Sequence, residues 1–274
     1  MNAFGQEMPA VKFNHLSFVL ESDDLRAISE SGFLSEKFIA CQTRRTNEDG
    51  PSSRTTVYLY GPSSYLELFE AAGDKESLGV SALAFSVDKM GELDALKSIL
   101  EKTRKTLSVS RERDLDGAKV PWFDVLFSID PAFAAQSRSH YWIMEYRTEY
   151  FKHNNFPITN NELTRENYLQ RFAPQRENKI IRRISGVTMK LSSSEKQHLE
   201  DFFMALGFQK TKEGQFILPD NFRFFLQDRI SGDPNTIASI EFETSSDMAE
   251  KETIRITDHV FVTMEGHHAQ LIFK

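Results

Sequence analysis

One histidine and two glutamates within residues 1–150 have the types and placement for metal or proton chemistry. They are His15 in KFNHLSFVL, Glu67 in YLELFE and Glu145 in YWIMEY. Each lies in a run that reads as a β-strand, and strand side chains alternate between the two faces of a sheet. In the first run Asn14, Leu16, Phe18 and Leu20 share one face; Phe13, His15, Ser17 and Val19 share the other. In the second, Leu66 and Leu68 oppose Tyr65, Glu67 and Phe69. A helix packed on the sheet takes the Leu/Phe face, so His15 and Glu67 point into the opposite, concave face. Leu83, Phe85 and Val87 repeat the helix-facing set and leave Ala82, Ala84 and Ser86 to the concavity. Tyr141 and Glu145 alternate with Trp142, Met144 and Tyr146. Both faces of that strand carry aromatics, and Tyr141 and Glu145 are taken as the concave pair.

The expectation is a cup walled by Phe13, Ser17, Tyr65, Phe69, Ala82 and Tyr141, with His15, Glu67 and Glu145 as donors. Nitrogen and oxygen donors of this kind suit a hard or borderline divalent cation. Zn, Ni, Mn and Fe are not distinguished. Glu67 or Glu145 would then move a proton as the catalytic acid or base. Plainer readings stand beside these. His15 could be a half-buried histidine bonded to a neighbouring strand or to Glu67. Glu67 could pair with Arg44, Arg45 or Arg54, and Glu145 with Arg147. The neighbours His267 and His268 point to opposite faces of their strand and make no pair.

The elements that must hold these residues repeat in order. Lys12–Leu20, a short helix from Ser22 that ends near Gly32, Lys37–Thr46, Arg54–Tyr60 and Ser64–Glu70 make one β-α-β-β-β unit. The loop NEDGPSS lies between its second and third strands. Leu78–Val87, a helix within Met90–Thr106, Trp122–Ile129 and Ser139–Tyr150 make a second, looser unit. The run RKTLSVSRERD within it reads as solvated surface. Residues 151–179 read as a connector, with a short helix over Thr164–Phe172 capped by Thr164. Ile180–Leu191 opens a third unit, whose helix is capped by Ser194 with Gln197 three residues on. Ile237–Glu243, Thr253–Met264 and Ala269–Phe273 form a fourth with little or no helix. Four like modules give an α+β fold of repeated βαβββ units in two curved mixed sheets. The paired modules of 1–150 hold the candidate site, and 180–274 is a degenerate pair.

Paired β-α-β-β-β units with His on the first strand and Glu on the fourth resemble the vicinal-oxygen-chelate superfamily of glyoxalase I, extradiol dioxygenases and bleomycin-resistance proteins. NHLSFVL, YLELFE, ALAFSVDK and YWIMEY carry the resemblance. The runs FNHLSFVLES to VYLYGPSSYLELFE and ENYLQRFAP to IRRISGVTMKL look like a family of uncharacterised glyoxalase-like bacterial proteins. The resemblance implies His15 as first metal ligand, Glu67 as second and Glu145 as last. The third falls on Ala82, which has no donor atom. A His/Glu/Glu set also departs from the two-histidine, one-carboxylate iron triad, so ring cleavage is the less favoured activity.

Composition bounds the rest. With 40 acidic and 33 basic side chains and a single cysteine, Cys41, the chain offers no disulfide framework or multi-cysteine metal site. It also lacks the basic excess that nucleic-acid binding needs. No run is long and apolar enough for a membrane span or a signal peptide. A cytoplasmic monomer or homodimer acting on a small molecule is expected. Two functions remain open: a divalent-metal-dependent lyase or isomerase acting on a small oxygen-rich molecule, and a non-catalytic small-molecule binder of the sequestering kind.

Overall fold

The run KFNHLSFVL forms the central strand of an eight-stranded sheet in the computed structural model, which describes residues 8–46, 54–71, 74–128 and 130–274. The expected loop over Asn47–Ser53 falls outside these. The first unit is β1 (Lys12–Leu20), α1 (Ser22–Glu30), β2 (Ala40–Thr46), β3 (Arg54–Tyr60) and β4 (Tyr65–Glu70). The second is β5 (Ser81–Ser86), α2 (Glu92–Leu100), β6 (Leu107–Leu115), β7 (Ala118–Phe127), the one-turn α3 (Pro131–Ala134) and β8 (Ser139–Tyr146). The strand order is β2-β3-β4-β1-β5-β8-β7-β6, and each unit pairs its first and last strands in parallel. The two units meet where β1 runs antiparallel to β5. This is the repeated βαβββ arrangement of glyoxalase/bleomycin-resistance type.

Two local differences from the sequence reading matter. Lys37 and Phe38 belong to a π-helical turn over Phe33–Phe38, so β2 starts only at Ala40. The run read as solvated surface is indeed mostly exposed, but all of it from Leu107 on belongs to β6, an edge strand in a hairpin with β7. Asp116 and Gly117 turn that hairpin with φ of 53° and 80°, the paired positive angles of a tight two-residue turn.

The connector carries α4 (Thr148–His153), α5 (Arg165–Leu169), a 3-10 turn at Gln170–Phe172 and α6 (Ala173–Arg176). Thr164 caps α5 by accepting from the Asn167 amide at 3.1 Å. Next come β9 (Ile181–Leu191), α7 (Ser193–Ala205), β10 (Gln209–Lys210), β11 (Phe216–Ile217) and β12 (Arg223–Asp228), a third unit of the same order. The cap of α7 is Ser192, not Ser194. Its hydroxyl accepts from the Glu195 amide, and the Glu195 carboxylate accepts from the Ser192 amide at 2.9 Å. Serine with glutamate three residues on is the reciprocal capping pair. The fourth unit reduces to one long hairpin of β13 (Ile237–Arg255) and β14 (Val260–Phe273).

The apolar face of the first sheet is covered by α1, α2, α7 and the second sheet together. Leu16, Phe18, Leu66, Leu68, Leu83 and Phe85 are fully buried there with Phe202, Phe224 and Phe242. Among the described residues no helix is long and apolar enough to cross a membrane.

Candidate functional site

The concave face of the first sheet holds the site, and two β-bulges aim side chains into it. In the β1–β5 pairing Phe13 faces Phe85 and His15 faces Ala84, so Asn14 is an extra residue. A bulge breaks alternation at its own position. Phe13 therefore turns to the buried face instead of the cup. Its ring stacks on Phe222 at 3.9 Å and meets Phe85 edge-on. Beyond the bulge alternation resumes, and His15 and Ser17 face the cup as expected. In the β6–β7 pairing Arg111 faces Phe123 and Glu112 faces Pro121, which leaves Trp122 unpaired. Trp122 and Phe123 consequently wall the same space.

That space is a chamber of about 340 Å³. Its floor is His15, Tyr65 and Glu67. Its walls are Trp122, Phe123 and Phe127 from β7 and Trp142, Met144 and Tyr146 from β8, with Arg111 at the β6 side. The chain's two tryptophans are thus both in one wall. A narrower niche of about 70 Å³ adjoins it and shares Tyr65, Glu67 and Trp122. Arg44, Arg113 and Arg171 border the niche with Tyr58, Tyr60 and Tyr168.

The connector closes one side of the cup. Tyr168 stacks on Tyr146 at 4.7 Å, and Phe172 stacks on Tyr60 at 3.8 Å. With Tyr150, Phe151 and Leu169 these rings form a second buried cluster on the concave face. Residues 151–179 therefore supply part of the site's wall as well as linking the halves.

His15 is buried and its ring lies on Tyr65 at 4.6 Å, with Trp142 edge-on at 5.8 Å. Its Nδ1 is 2.9 Å from Asn14 Oδ1. In this arrangement Nδ1 carries the proton and Nε2 keeps a lone pair. Burial brings its pKa down to about 3, so the ring is neutral at pH 7. The Asn14 amide in turn donates to the Tyr146 hydroxyl at 3.3 Å. Glu67 accepts from the Ser17 hydroxyl at 3.0 Å. Burial pushes the Glu67 carboxyl up to about 7, against the opposing pulls of Ser17 and the Arg44 charge. Taking a carboxylate out of water favours its protonated form.

The other expected residues distribute as follows. Ala82 lies beside Ser17 across the β1–β5 pair, on the concave face. Phe69 keeps the Glu67 side of β4 by alternation but is outside the walls of both spaces. Tyr141 and Glu145 lie on the helix side, contrary to expectation. The parallel β5–β8 register sets Trp142 beside Ala84, and that fixes Trp142, Met144 and Tyr146 as the concave set. Tyr141 packs against Phe202 at 4.4 Å. Both Glu145 oxygens are taken by the start of α2, accepting from the Gly91 and Leu93 amides at 2.9 Å each.

The three expected donors are therefore not brought together. His15 and Glu67 share the chamber floor, Glu145 is on the other face and Ala82 offers no atom. Among the described residues no three His, Cys, Asp or Glu side chains come together to hold a metal ion. The residues present do not fit the divalent centre of the resemblance. Sequence reasoning missed Trp122, Trp142, Tyr146, Arg113, Tyr168 and Arg171. For Arg113 a signal existed, the Asp116-Gly117 turn between two alternating runs.

Over residues 13–273 the chain matches the family described as Family of unknown function (DUF5829). It belongs to that family. No curated protein matches it. Among solved structures, a hypothetical protein from Staphylococcus aureus superposes with a TM-score of 0.57 at 13% identity, covering 90% of this chain and 95% of that one. A mutant 4-hydroxymandelate synthase from Streptomyces coelicolor gives 0.31 at 14% identity over 53% of this chain and 50% of that one. A mutant glyoxalase I from Zea mays gives 0.30 at 12% identity over 95% and 92%. At 13% identity the likeness to the Staphylococcus aureus protein concerns the fold alone.

Proposed function

We propose that this DUF5829 chain is a glyoxalase-like small-molecule-binding protein that works without a metal and without turnover. The observation that carries this reading is the aromatic chamber of about 340 Å³ over His15 and Glu67. Ligand sites are concave, largely apolar spaces of about 300–1,000 Å³ with a few convergent polar groups. The volume lies at the small end of that range, and the walls offer ring faces and edges to a planar body. Offset or edge-on ring contacts add about 0.5–1.5 kcal/mol each beyond the area they bury. The polar floor is sparse: an imidazole with a free Nε2 and a carboxyl near its titration point. The metal-dependent lyase or isomerase reading needs a donor set that the fold separates, so it is the weaker of the two.

Trp122 and Trp142 make the test direct. The chain is titrated with 4-nitrobenzyl alcohol, a planar neutral molecule whose nitro group quenches indole fluorescence on contact. Saturable quenching and a raised melting temperature are expected, both unchanged by excess EDTA. Binding that disappears on chelation and returns with Zn²⁺ or Mn²⁺ would sink the metal-free reading. Quenching that rises linearly without saturation would remove the chamber as a ligand site.

A further inference from the structure

We propose that the niche between Arg44, Arg113 and Arg171 is an anion subsite, so that the ligand of the chamber is a planar molecule carrying a carboxylate or a phosphate. The proposal rests on the reading of the chamber as a ligand site and adds the chemical class of the ligand.

Three guanidiniums from three separate elements border one space of about 70 Å³. Arg44 comes from β2, Arg113 from β6 and Arg171 from the turn after α5. Among the described residues none of the three is ion-paired to a carboxylate. What holds them is neutral. Arg44 donates through Nε and Nη2 to Gln42 Oε1 at 3.2 and 2.9 Å. Arg171 donates to the Tyr168 hydroxyl at 3.1 Å. Each also lies over a ring: Arg44 over Tyr58 at 5.1 Å, Arg113 over Trp122 at 4.8 Å and Arg171 over Tyr168 at 4.7 Å.

These supports position the charges without cancelling them. Like charges gathered in a partly dry space repel each other, and an exposed ring face returns only about 0.5–1 kcal/mol per cation. Glu67 is the one carboxylate among the described residues that borders the niche. It already accepts from Ser17, and burial favours its neutral form. The niche therefore keeps a positive excess that an incoming anion would neutralise. Planar guanidinium forks match the paired oxygens of a carboxylate or phosphate. The niche has room for such a headgroup and none for a ring. The ring belongs in the adjoining chamber, which shares Tyr65, Glu67 and Trp122 with the niche.

The experiment compares three probes with one ring and different heads: 4-nitrobenzyl alcohol, 4-nitrobenzoate and 4-nitrophenyl phosphate. Each is titrated into the full chain by tryptophan quenching. At least one anionic probe is expected to bind about ten-fold tighter than the alcohol, the order of one charge-assisted contact. Arg44→Gln and Arg113→Gln should each weaken that probe by about five-fold or more while leaving the alcohol within about two-fold. Retained alcohol binding also certifies that the variants fold. The tighter anionic probe identifies the headgroup. If all three probes bind alike and neither variant separates them, the subsite is overturned while the chamber reading stands. If no probe binds, the chamber reading fails and the subsite with it.

Discussion

Burial pulls the two polar side chains on the chamber floor in opposite directions, and the signs can be read as stability. His15 falls from an ordinary 6.5 to about 3 in the fold. Its imidazole takes up a proton more readily in the unfolded chain, so the contribution is complete above pH 6.5 and is lost as pH falls toward 3. Glu67 rises from 4.5 to about 7. The folded chain then holds the extra proton between these values, and stability is lost as pH rises from 4.5 through 7. At about 1.4 kcal/mol per pH unit, ionising Glu67 in the fold costs about 3 kcal/mol at pH 8. Glu67→Gln should therefore be more stable than the natural chain by up to about 3 kcal/mol at pH 8 and by little at pH 4.5. His15→Gln should spare the chain about 2 kcal/mol of the loss between pH 6.5 and pH 5. Urea denaturation at pH 5, 6.5 and 8 measures both. A Glu67→Gln difference that is the same at pH 5 and pH 8 would contradict a carboxyl held near neutrality by burial.

Elements decide which of these side chains meet, and alternation alone reads them only where strands are regular. His15, Ser17, Glu67 and Ala82 were legible because β4, β5, and β1 beyond Asn14, keep strict period two. Phe13 was not, because the extra residue at Asn14 reverses parity on its N-terminal side. Tyr141 and Glu145 failed for another reason. Both faces of β8 carry aromatics, and only the register against Ala84 tells them apart. Glu145 does its work one layer away. The amides at a helix start lack intrahelical acceptors, and an anion there also meets the positive end of the helix dipole. Glu145 serves two of them, Gly91 and Leu93, at 2.9 Å. Glu145→Ala is expected to lower stability by about 1–2 kcal/mol, the cost of losing a good cap. The same variant should leave the dissociation constant for 4-nitrobenzyl alcohol within about two-fold, since the residue is outside the chamber. A large loss of probe binding in a chain that still folds would return Glu145 to the site.

At the scale of the molecule, the modules were readable as repeats but their joint core was not, because helical and strand periodicities say nothing about which sheet covers which. Phenylalanines join the halves: Phe13 stacks on Phe222 at 3.9 Å, Phe18 meets Phe273 at 5.1 Å and Phe38 meets Phe242 at 5.3 Å. Arg165 of the connector, 3% exposed, pairs with Asp220 at 2.9 Å and donates to the Phe13 carbonyl. A third junction is backbone against backbone. The Thr236 amide and hydroxyl both donate to the Gly79 carbonyl, at 3.0 and 2.7 Å. Gly79 has φ of 75°, and a Cβ there would run into the Pro234 carbonyl. With cores and junctions shared in this way, the halves should unfold together although they are separate sheets. Both tryptophans lie in the first half, so their fluorescence reports that half alone, while far-ultraviolet circular dichroism reports both. The two thermal transitions are expected to coincide, which is the sign of a single cooperative unit. Gly79→Ala should move both to lower temperature by the same amount, at a cost of more than about 2 kcal/mol for strain and collision combined. A dichroism transition that splits, with the tryptophan signal following only one step, would show instead that the second sheet is an independent unit resting against the first.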